Sequence, residues 1–176
     1  MNYKEKMKHI KALAFDCDGV FTDGRLTLSE DGYLARTFNA RDGFAVQIAL
    51  KKGLKVALIT GAAELSVKKR FNALGVTDVF LNARDKTEAF YTFLDSYELT
   101  PEDVLYMGDD LPDIPLLEKV GLPCCPNDAV QEVKAVSEYI SDAKGGDACV
   151  RDVIEQTLKV QGLWMAEEDV IIPAKF

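Results

Sequence analysis

The sequence predicts an α/β protein built on a doubly wound, mostly parallel sheet with helices on both faces. Two observations predict it. Apolar runs of strand length recur at Ile10 to Asp16 (IKALAFD), Leu54 to Thr60 (LKVALIT) and Val104 to Met107 (VLYM), near-continuous as strands buried on both faces require. Between them lie segments with apolar residues at helical spacing, closed by glycines such as Gly53 and Gly75. Such alternation implies parallel strands joined by right-handed helical crossovers, which bring the strand ends to one rim where ligands bind.

Taken in order, Ile10 to Asp16 is the first buried strand. Gly24 to Phe38 departs from the alternation: Leu26, Leu28 and Tyr33 straddle Asp31-Gly32, a two-residue hairpin signal, and the segment reads as a small β-flap. Asp42 to Lys52 reads as a helix with Asp42 as N-cap. The second strand, Leu54 to Thr60, precedes a helix at Ala63 to Leu74, a short strand at Asp78 to Leu81 and a helix at Lys86 to Tyr97. Thr100-Pro101-Glu102 is a capping turn with proline at the first helical position. Val104 to Met107 is a strand and Ile114 to Val120 a helix, and Leu122 to Cys125, Val130 to Val136, Tyr139 to Ile140 and Val150 to Val160 continue the pattern. Residues 1–160 read as one domain and 161–176 as a C-terminal tail, whose apolar Leu163, Trp164, Val170, Ile171, Ile172 and Phe176 need a surface to cover.

Composition narrows the function. The 29 acidic side chains outnumber 21 basic ones, giving a net charge of −8, which excludes nucleic acid as the main partner because phosphate backbones recruit Lys and Arg. The single histidine, His9, argues against a His-rich metal site and a Ser-His-Asp triad, so chemistry falls to carboxylates. No apolar run reaches the ~18 residues a membrane helix needs. The polar, basic stretch from Met1 to Lys11 is not a secretory signal. Cys17, Cys124, Cys125 and Cys149 show no CxxC spacing and read as reduced, packed thiols, so the expected compartment is the cytoplasm.

The residues just past each buried strand carry the chemistry. Asp16, Asp18 and Gly19 stand after the first, Thr60 and Gly61 after the second, Lys86 after the third and a short loop, and Gly108, Asp109, Asp110 and Asp113 after the fourth. A parallel sheet converges these points on one crevice. Clustered carboxylates repel and call for protonation or a cation. Oxygen donors without nearby His or Cys favour Mg²⁺, with Asp16 and Asp109 as carboxylate ligands and a backbone carbonyl at the Asp18-Gly19 turn as a third. Lys86 and the Thr60 hydroxyl suit the remaining oxygens of a phosphoryl group, and an aspartate can serve as nucleophile with a second acid two residues on. A receiver-type signalling module uses a similar set around Mg²⁺, but there the phosphorylated aspartate comes after the third strand, whereas here the DxD comes after the first.

DCDGVFTDG (Asp16 to Gly24), LITG (Leu58 to Gly61), Lys86 and MGDDLPD (Met107 to Asp113) resemble the four motifs of the haloacid dehalogenase superfamily of phosphatases, and the small flap without an inserted cap domain resembles its minimal-cap subclass. NARDG (Asn39 to Gly43), GLPCCPNDA (Gly121 to Ala129) and GGDACVRDVIEQTL (Gly145 to Leu158) are similar to the sugar-acid phosphatases of that superfamily that act on 3-deoxy-D-manno-octulosonate 8-phosphate in lipopolysaccharide precursor synthesis. The resemblance implies Asp16 as nucleophile and Asp18 as general acid/base. It implies Thr60 and Lys86 on the phosphoryl group, Gly61 among the substrate-binding residues, and Mg²⁺ held by Asp16, the Asp18 carbonyl and Asp109. Asp110 and Asp113 would support the site, and Asn39, Ala40, Arg41, Asp42, Gly43 and Arg70 would meet the substrate. It also implies a homotetramer whose flaps and tails help close neighbouring sites. Two positions depart from the pattern: Ala62 and Gln47 stand where the family often has arginine, which leaves a nonulosonate 9-phosphate open as the substrate.

Overall fold

The fold is that of a computed structural model, which describes residues 1–170. The central sheet has six strands, β1 (Ala12–Phe15), β4 (Lys55–Ile59), β5 (Asp78–Phe80), β6 (Val104–Met107), β7 (Leu122–Cys125) and β8 (Tyr139–Ile140), in the order β5-β4-β1-β6-β7-β8. Every neighbouring pair in it is parallel. The flap is a separate antiparallel pair, β2 (Thr27–Leu28) and β3 (Leu34–Ala35). The helices are α1 (Tyr3–Met7), α2 (Ala40–Lys51), α3 (Leu65–Ala73), α4 (Lys86–Ser96), α5 (Ile114–Leu117), α6 (Gln131–Val136) and α7 (Cys149–Val160).

Successive side chains of a strand point to opposite faces, and the core divides accordingly. Leu13, Phe15, Val56, Leu58, Leu105 and Met107 pack with residues of α2, α3 and α7 on one face. Ala12, Ala14, Ala57, Ile59, Val104 and Tyr106 pack with Phe90, Leu116 and Val133 of α4, α5 and α6 on the other. α7 shows why it folds where it does: its buried residues, Cys149, Val150, Val153, Ile154, Thr157 and Leu158, fall on one stripe of a 3.6-residue period.

The chain winds outward from β1 to β4 and β5, then returns to place β6 on the other side of β1. The switch point therefore lies at β1 and β6, which run in register from Ala12↔Val104 to Phe15↔Met107, with the Asp16 N–H donating to the Met107 carbonyl at 3.0 Å.

Two local readings are corrected. Asn39, not Asp42, caps α2: the Asn39 carboxamide oxygen accepts from the Arg41 N–H at 2.9 Å, and Asp42 lies buried inside the first turn. The flap turn has a three-residue loop, not two. Beyond the Leu28–Leu34 pair the Ser29 N–H donates to the Tyr33 carbonyl at 2.9 Å, which leaves Glu30, Asp31 and Gly32 as the loop; Gly32 N–H donates to the Ser29 carbonyl at 2.9 Å, and Gly32 takes the left-handed conformation of a bulge (φ +83°).

The described part of the tail lies on its own chain. The Arg151 guanidinium stacks on Trp164 at 4.8 Å, and buried Asp169 meets Lys52 at 2.9 Å and Lys51 at 3.3 Å, at the end of α2. Ile171, Ile172 and Phe176 of the predicted apolar tail lie outside the described residues. All four cysteines are buried, unpaired thiols, and burial pushes those of Cys17, Cys124, Cys125 and Cys149 up. No helix among the described residues is long and apolar enough to cross a membrane.

Candidate active site

A pocket of about 430 Å³ opens at the C-terminal rim of the sheet, over the switch point. Asp16, Asp18, Thr60, Gly61, Lys86, Asp109, Asp110 and Asp113 all line it, together with Gly24, Ala62, Ala83, Arg84 and Pro112.

Asp16 extends from the end of β1. Its Oδ1 accepts from the Cys17 N–H at 2.7 Å and from Lys86 Nζ at 2.9 Å. Lys86 opens α4, and its ammonium also reaches Asp113 Oδ1 at 2.7 Å. Asp113 accepts at both oxygens: Oδ1 takes a further bond from the Tyr106 hydroxyl at 2.6 Å, and Oδ2 takes the Asp109 and Asp110 N–H groups at 2.9 and 3.2 Å. Its role is to aim Lys86 and to set the backbone of the acidic loop. Asp110 caps the short 3₁₀ turn at Leu111–Asp113, accepting from the Leu111 N–H at 2.8 Å.

The Asp109 carboxylate packs against Gly19, where an added Cβ would lie 1.8 Å from Oδ2. One oxygen from each of Asp16, Asp109 and Asp113 falls within 4.8 Å of the others. Burial, then the charges of Asp16, Asp113 and Asp110, push Asp109 up to about 8. Burial and Asp113 push Asp16 up to about 6, against the opposing pull of Lys86. Burial works against the Lys86 ammonium, but Asp16 and Asp113 outweigh it and hold its pKa above the ordinary lysine value. A site that raises its own carboxylates in this way, with oxygen donors and neither His nor Cys among its lining residues, fits a hard divalent cation such as Mg²⁺. Because Asp113 is already fully hydrogen-bonded, the pair suited to the cation is Asp16 and Asp109.

Thr60, at the end of β4, is buried, and its Oγ1 accepts from the Ala62 N–H at 3.1 Å, which orients the hydroxyl. The Asp18 carboxylate is held by Arg36, just past β3 of the flap: Nε reaches Oδ1 at 2.7 Å and Nη2 reaches Oδ2 at 3.0 Å.

The remaining predicted residues sit elsewhere. Asn39 binds the Gly146 carbonyl at 3.3 Å and caps α2; Ala40 and exposed Arg41 form the first turn of that helix. Gly43 packs under Arg70, whose Nη2 would lie 2.7 Å from an added Cβ. The Asp42 carboxylate turns away from the pocket, its Oδ1 accepting from the Arg151 N–H at 2.8 Å in the first turn of α7. Neither Asn39 to Gly43 nor Arg70 lines this pocket.

Three contributors escape the sequence pattern. Arg84 brings a second cation to the rim, and its place two residues before Lys86 is the one signal it offers. Tyr106 reads only as strand core. Arg36 gives no signal at all, because its partners come from distant loops.

Comparison with known proteins bears on the family and the fold. A model of haloacid dehalogenase-like hydrolases matches residues 74–151. The chain is 36% identical over 157 residues to 3-deoxy-D-manno-octulosonate 8-phosphate phosphatase KdsC of Escherichia coli strain K12, covering 89% of this chain and 84% of that protein. The chain belongs to the haloacid dehalogenase-like hydrolases. Within this family, the crystal structure of a probable YrbI family phosphatase from Pseudomonas syringae pv. phaseolica superposes with a TM-score of 0.91 at 36% identity, covering 95% of each chain. The Moraxella catarrhalis 3-deoxy-D-manno-octulosonate 8-phosphate phosphatase, solved with a magnesium ion, a phosphate ion and a KDO molecule, superposes with a TM-score of 0.87 at 31% identity, covering 90% of this chain and 91% of that one.

Proposed function

We propose that this protein is a Mg²⁺-dependent phosphatase that hydrolyses 3-deoxy-D-manno-octulosonate 8-phosphate to the free sugar acid and phosphate, a step in lipopolysaccharide precursor synthesis. The observation that carries the reading is the Asp16–Lys86–Asp113 chain set beside Asp109 at the switch point. The relatives named above lend the substrate class.

In this reading Asp16 is the nucleophile. Its Oδ1 is engaged by Cys17 N–H and Lys86, which leaves Oδ2 to attack phosphorus. The P–O bond to the sugar breaks as the Asp16–P bond forms, and Asp18 gives its proton to the departing alkoxide. Asp18 then takes a proton from water, which attacks the aspartyl-phosphate and frees Asp16. Lys86, Arg84 and the Thr60 hydroxyl hold the phosphoryl oxygens. Mg²⁺, held by Asp16, Asp109 and the Asp18 carbonyl, supplies charge stabilisation for the phosphoryl group.

A nonulosonate 9-phosphate is the second reading: Ala62 lines the pocket with a methyl group where the family often carries arginine, which takes a cation from the rim and matches neither substrate's pattern. We further propose a cytoplasmic homotetramer with the flap at a subunit interface. Leu26, Leu28 and Tyr33 of the flap are exposed, and a flap this small needs a covering neighbour to exclude water.

Phosphate release from a panel of phosphorylated sugar acids, with and without Mg²⁺, tests the reading. Wild type should turn over the octulosonate ester fastest, and Asp16→Asn should lose activity by at least about 10³-fold. Absence of Mg²⁺-dependent turnover on every ester, a generic aryl phosphate included, would overturn it. Sedimentation of the intact chain tests the tetramer, and a stable monomer would remove it.

A further inference from the structure

The Arg36 guanidinium is the most committed side chain on the flap. Nε and Nη2 form a two-pronged bond to Asp18, while Nη1 binds Glu64 Oε2 at 2.9 Å and the Leu34 carbonyl at 3.1 Å. Arginine presents its donors in a rigid planar fork, so these bonds fix the group in orientation as well as place. The side chain is only 4% exposed, although it belongs to a flap whose Leu26, Leu28 and Tyr33 face solvent. Three separate pieces of chain therefore meet on one cation: the loop after β1, the loop before α3 and the flap.

Glu64 reinforces this assignment. It occupies the N-cap position of α3, where a short polar side chain would normally accept a backbone N–H, yet it makes no side-chain cap bond. Its carboxylate is directed to Arg36 instead.

Both Asp18 oxygens accept from Arg36, so the carboxyl can carry the proton it donates, and meet a leaving-group oxygen, only once one of these two bonds gives way while the other holds it in place. We propose that Arg36 is a positioning residue. Its fork sets where the Asp18 carboxyl stands, and through Glu64 and the β3 backbone it ties that position to the seating of the flap against the rim. The inference rests on the phosphatase reading above, with Asp18 as the proton donor. Arg36 acts through the Asp18 carboxyl and does not line the pocket itself.

On this basis the effect of Arg36 depends on the leaving group. A sugar alkoxide needs a proton from Asp18 to depart, while a nitrophenolate does not, and positioned general acids contribute about 10²–10⁴-fold. The test tracks the first turnover, with enzyme in excess over substrate, of a sugar-acid phosphate and of p-nitrophenyl phosphate. Arg36→Ala should slow the alkyl ester at least about tenfold more than the aryl ester. Arg36→Lys, which keeps the charge but not the fork, should fall between wild type and Arg36→Ala. In an Asp18→Asn background, Arg36→Ala should change the alkyl rate no further, since residues acting through one another are non-additive. Equal losses on both esters, or the same added loss in the Asp18→Asn background, would overturn the proposal and leave Arg36 as a flap anchor only. Should Arg36→Ala fail to fold, Arg36→Lys and Glu64→Gln carry the same comparison, with the same equal loss on both esters counting against it. Failure of wild type on both esters would instead remove the phosphatase reading on which it rests.

Discussion

The Asp109 carboxylate occupies the space that a side chain at Gly19 would need: an added Cβ would sit 1.8 Å from Asp109 Oδ2, on a backbone already at φ +85°. Gly19→Ala must both strain the loop after β1, by roughly 1–2 kcal/mol for a left-handed non-glycine residue, and push Asp109 out of place. Its Mg²⁺-dependent turnover should fall by at least about 10²-fold, a loss of roughly 2.7 kcal/mol in transition-state stabilisation, while circular dichroism still reports a folded α/β protein. Wild-type kinetics in Gly19→Ala would break the link between this contact and the metal pair.

Removal of Mg²⁺ should stop turnover and lower the melting temperature, because the cation relieves repulsion among Asp16, Asp109 and Asp113. Metal binding requires deprotonated ligands, and burial with the neighbouring carboxylates of Asp16, Asp113 and Asp110 pushes Asp109 up to about 8. Affinity should therefore rise with pH up to that value and then level off, with proton release on binding below it. Calorimetric titrations in buffers of different ionisation enthalpy measure both. Affinity that is flat over this range would contradict the mutual repulsion described for the cluster.

Tyr106→Phe removes the 2.6 Å bond from the phenol to Asp113 and the 3.4 Å bond the phenol accepts from Lys86 Nζ, and keeps the buried ring. The bond to the buried, charged Asp113 is the stronger of the two, and its loss should destabilise the fold by about 1.5–3 kcal/mol. Lys86 then has less competition for Asp113 and should shift from Asp16 toward it, lowering kcat about tenfold with little change in KM, if Lys86 acts mainly in the transition state. Denaturant melts and steady-state kinetics read the two effects separately, and an unchanged kcat would argue against Lys86 being aimed by this network.

Asp42→Asn should stabilise the protein increasingly as pH rises. Burial holds the Asp42 carboxyl at about 7 in the folded protein, against 3.8 for an ordinary aspartate, and its Oδ2 has no hydrogen-bond partner among the described residues. A carboxyl raised on folding contributes stability that is complete below the unfolded value and is lost as pH rises through the folded one. Asparagine still accepts the Arg151 N–H without ionising. The melting-temperature gap between Asp42→Asn and wild type should therefore widen from about pH 5 to about pH 8; a constant gap would remove Asp42 as the cause.

The strands are legible in the sequence because burial on both faces leaves long apolar runs, and VLYM and LPCC keep their predicted boundaries. The acidic crevice is legible too, since each of its residues stands directly after a strand or at the start of a helix. What escapes depends on partners distant in sequence. Asp42 looks like a cap for its own helix, but its partner is the N–H of Arg151, in α7. Asn39 satisfies the same local pattern three residues earlier. Arg36 meets Asp18 and Glu64 only because the flap folds back over the rim, and nothing in its own neighbourhood announces that. The length of the flap turn is set by Gly32, whose left-handed backbone adds a bulge residue to a pattern equally compatible with a tighter hairpin.

The order β5-β4-β1-β6-β7-β8 also governs how the chain is made. β1 emerges first among the sheet strands, and β4 can join one of its edges early. Its other edge is apolar and unpaired until Val104–Met107 has been synthesised. A growing chain therefore carries an exposed strand edge through most of its translation, the state most open to aggregation or to chaperone capture. Because the residues just past this late strand include Asp109 and Asp113, closing that edge and completing the acidic pocket are one event, so a nascent chain stopped before β6 has neither a protected sheet nor a complete acidic pocket.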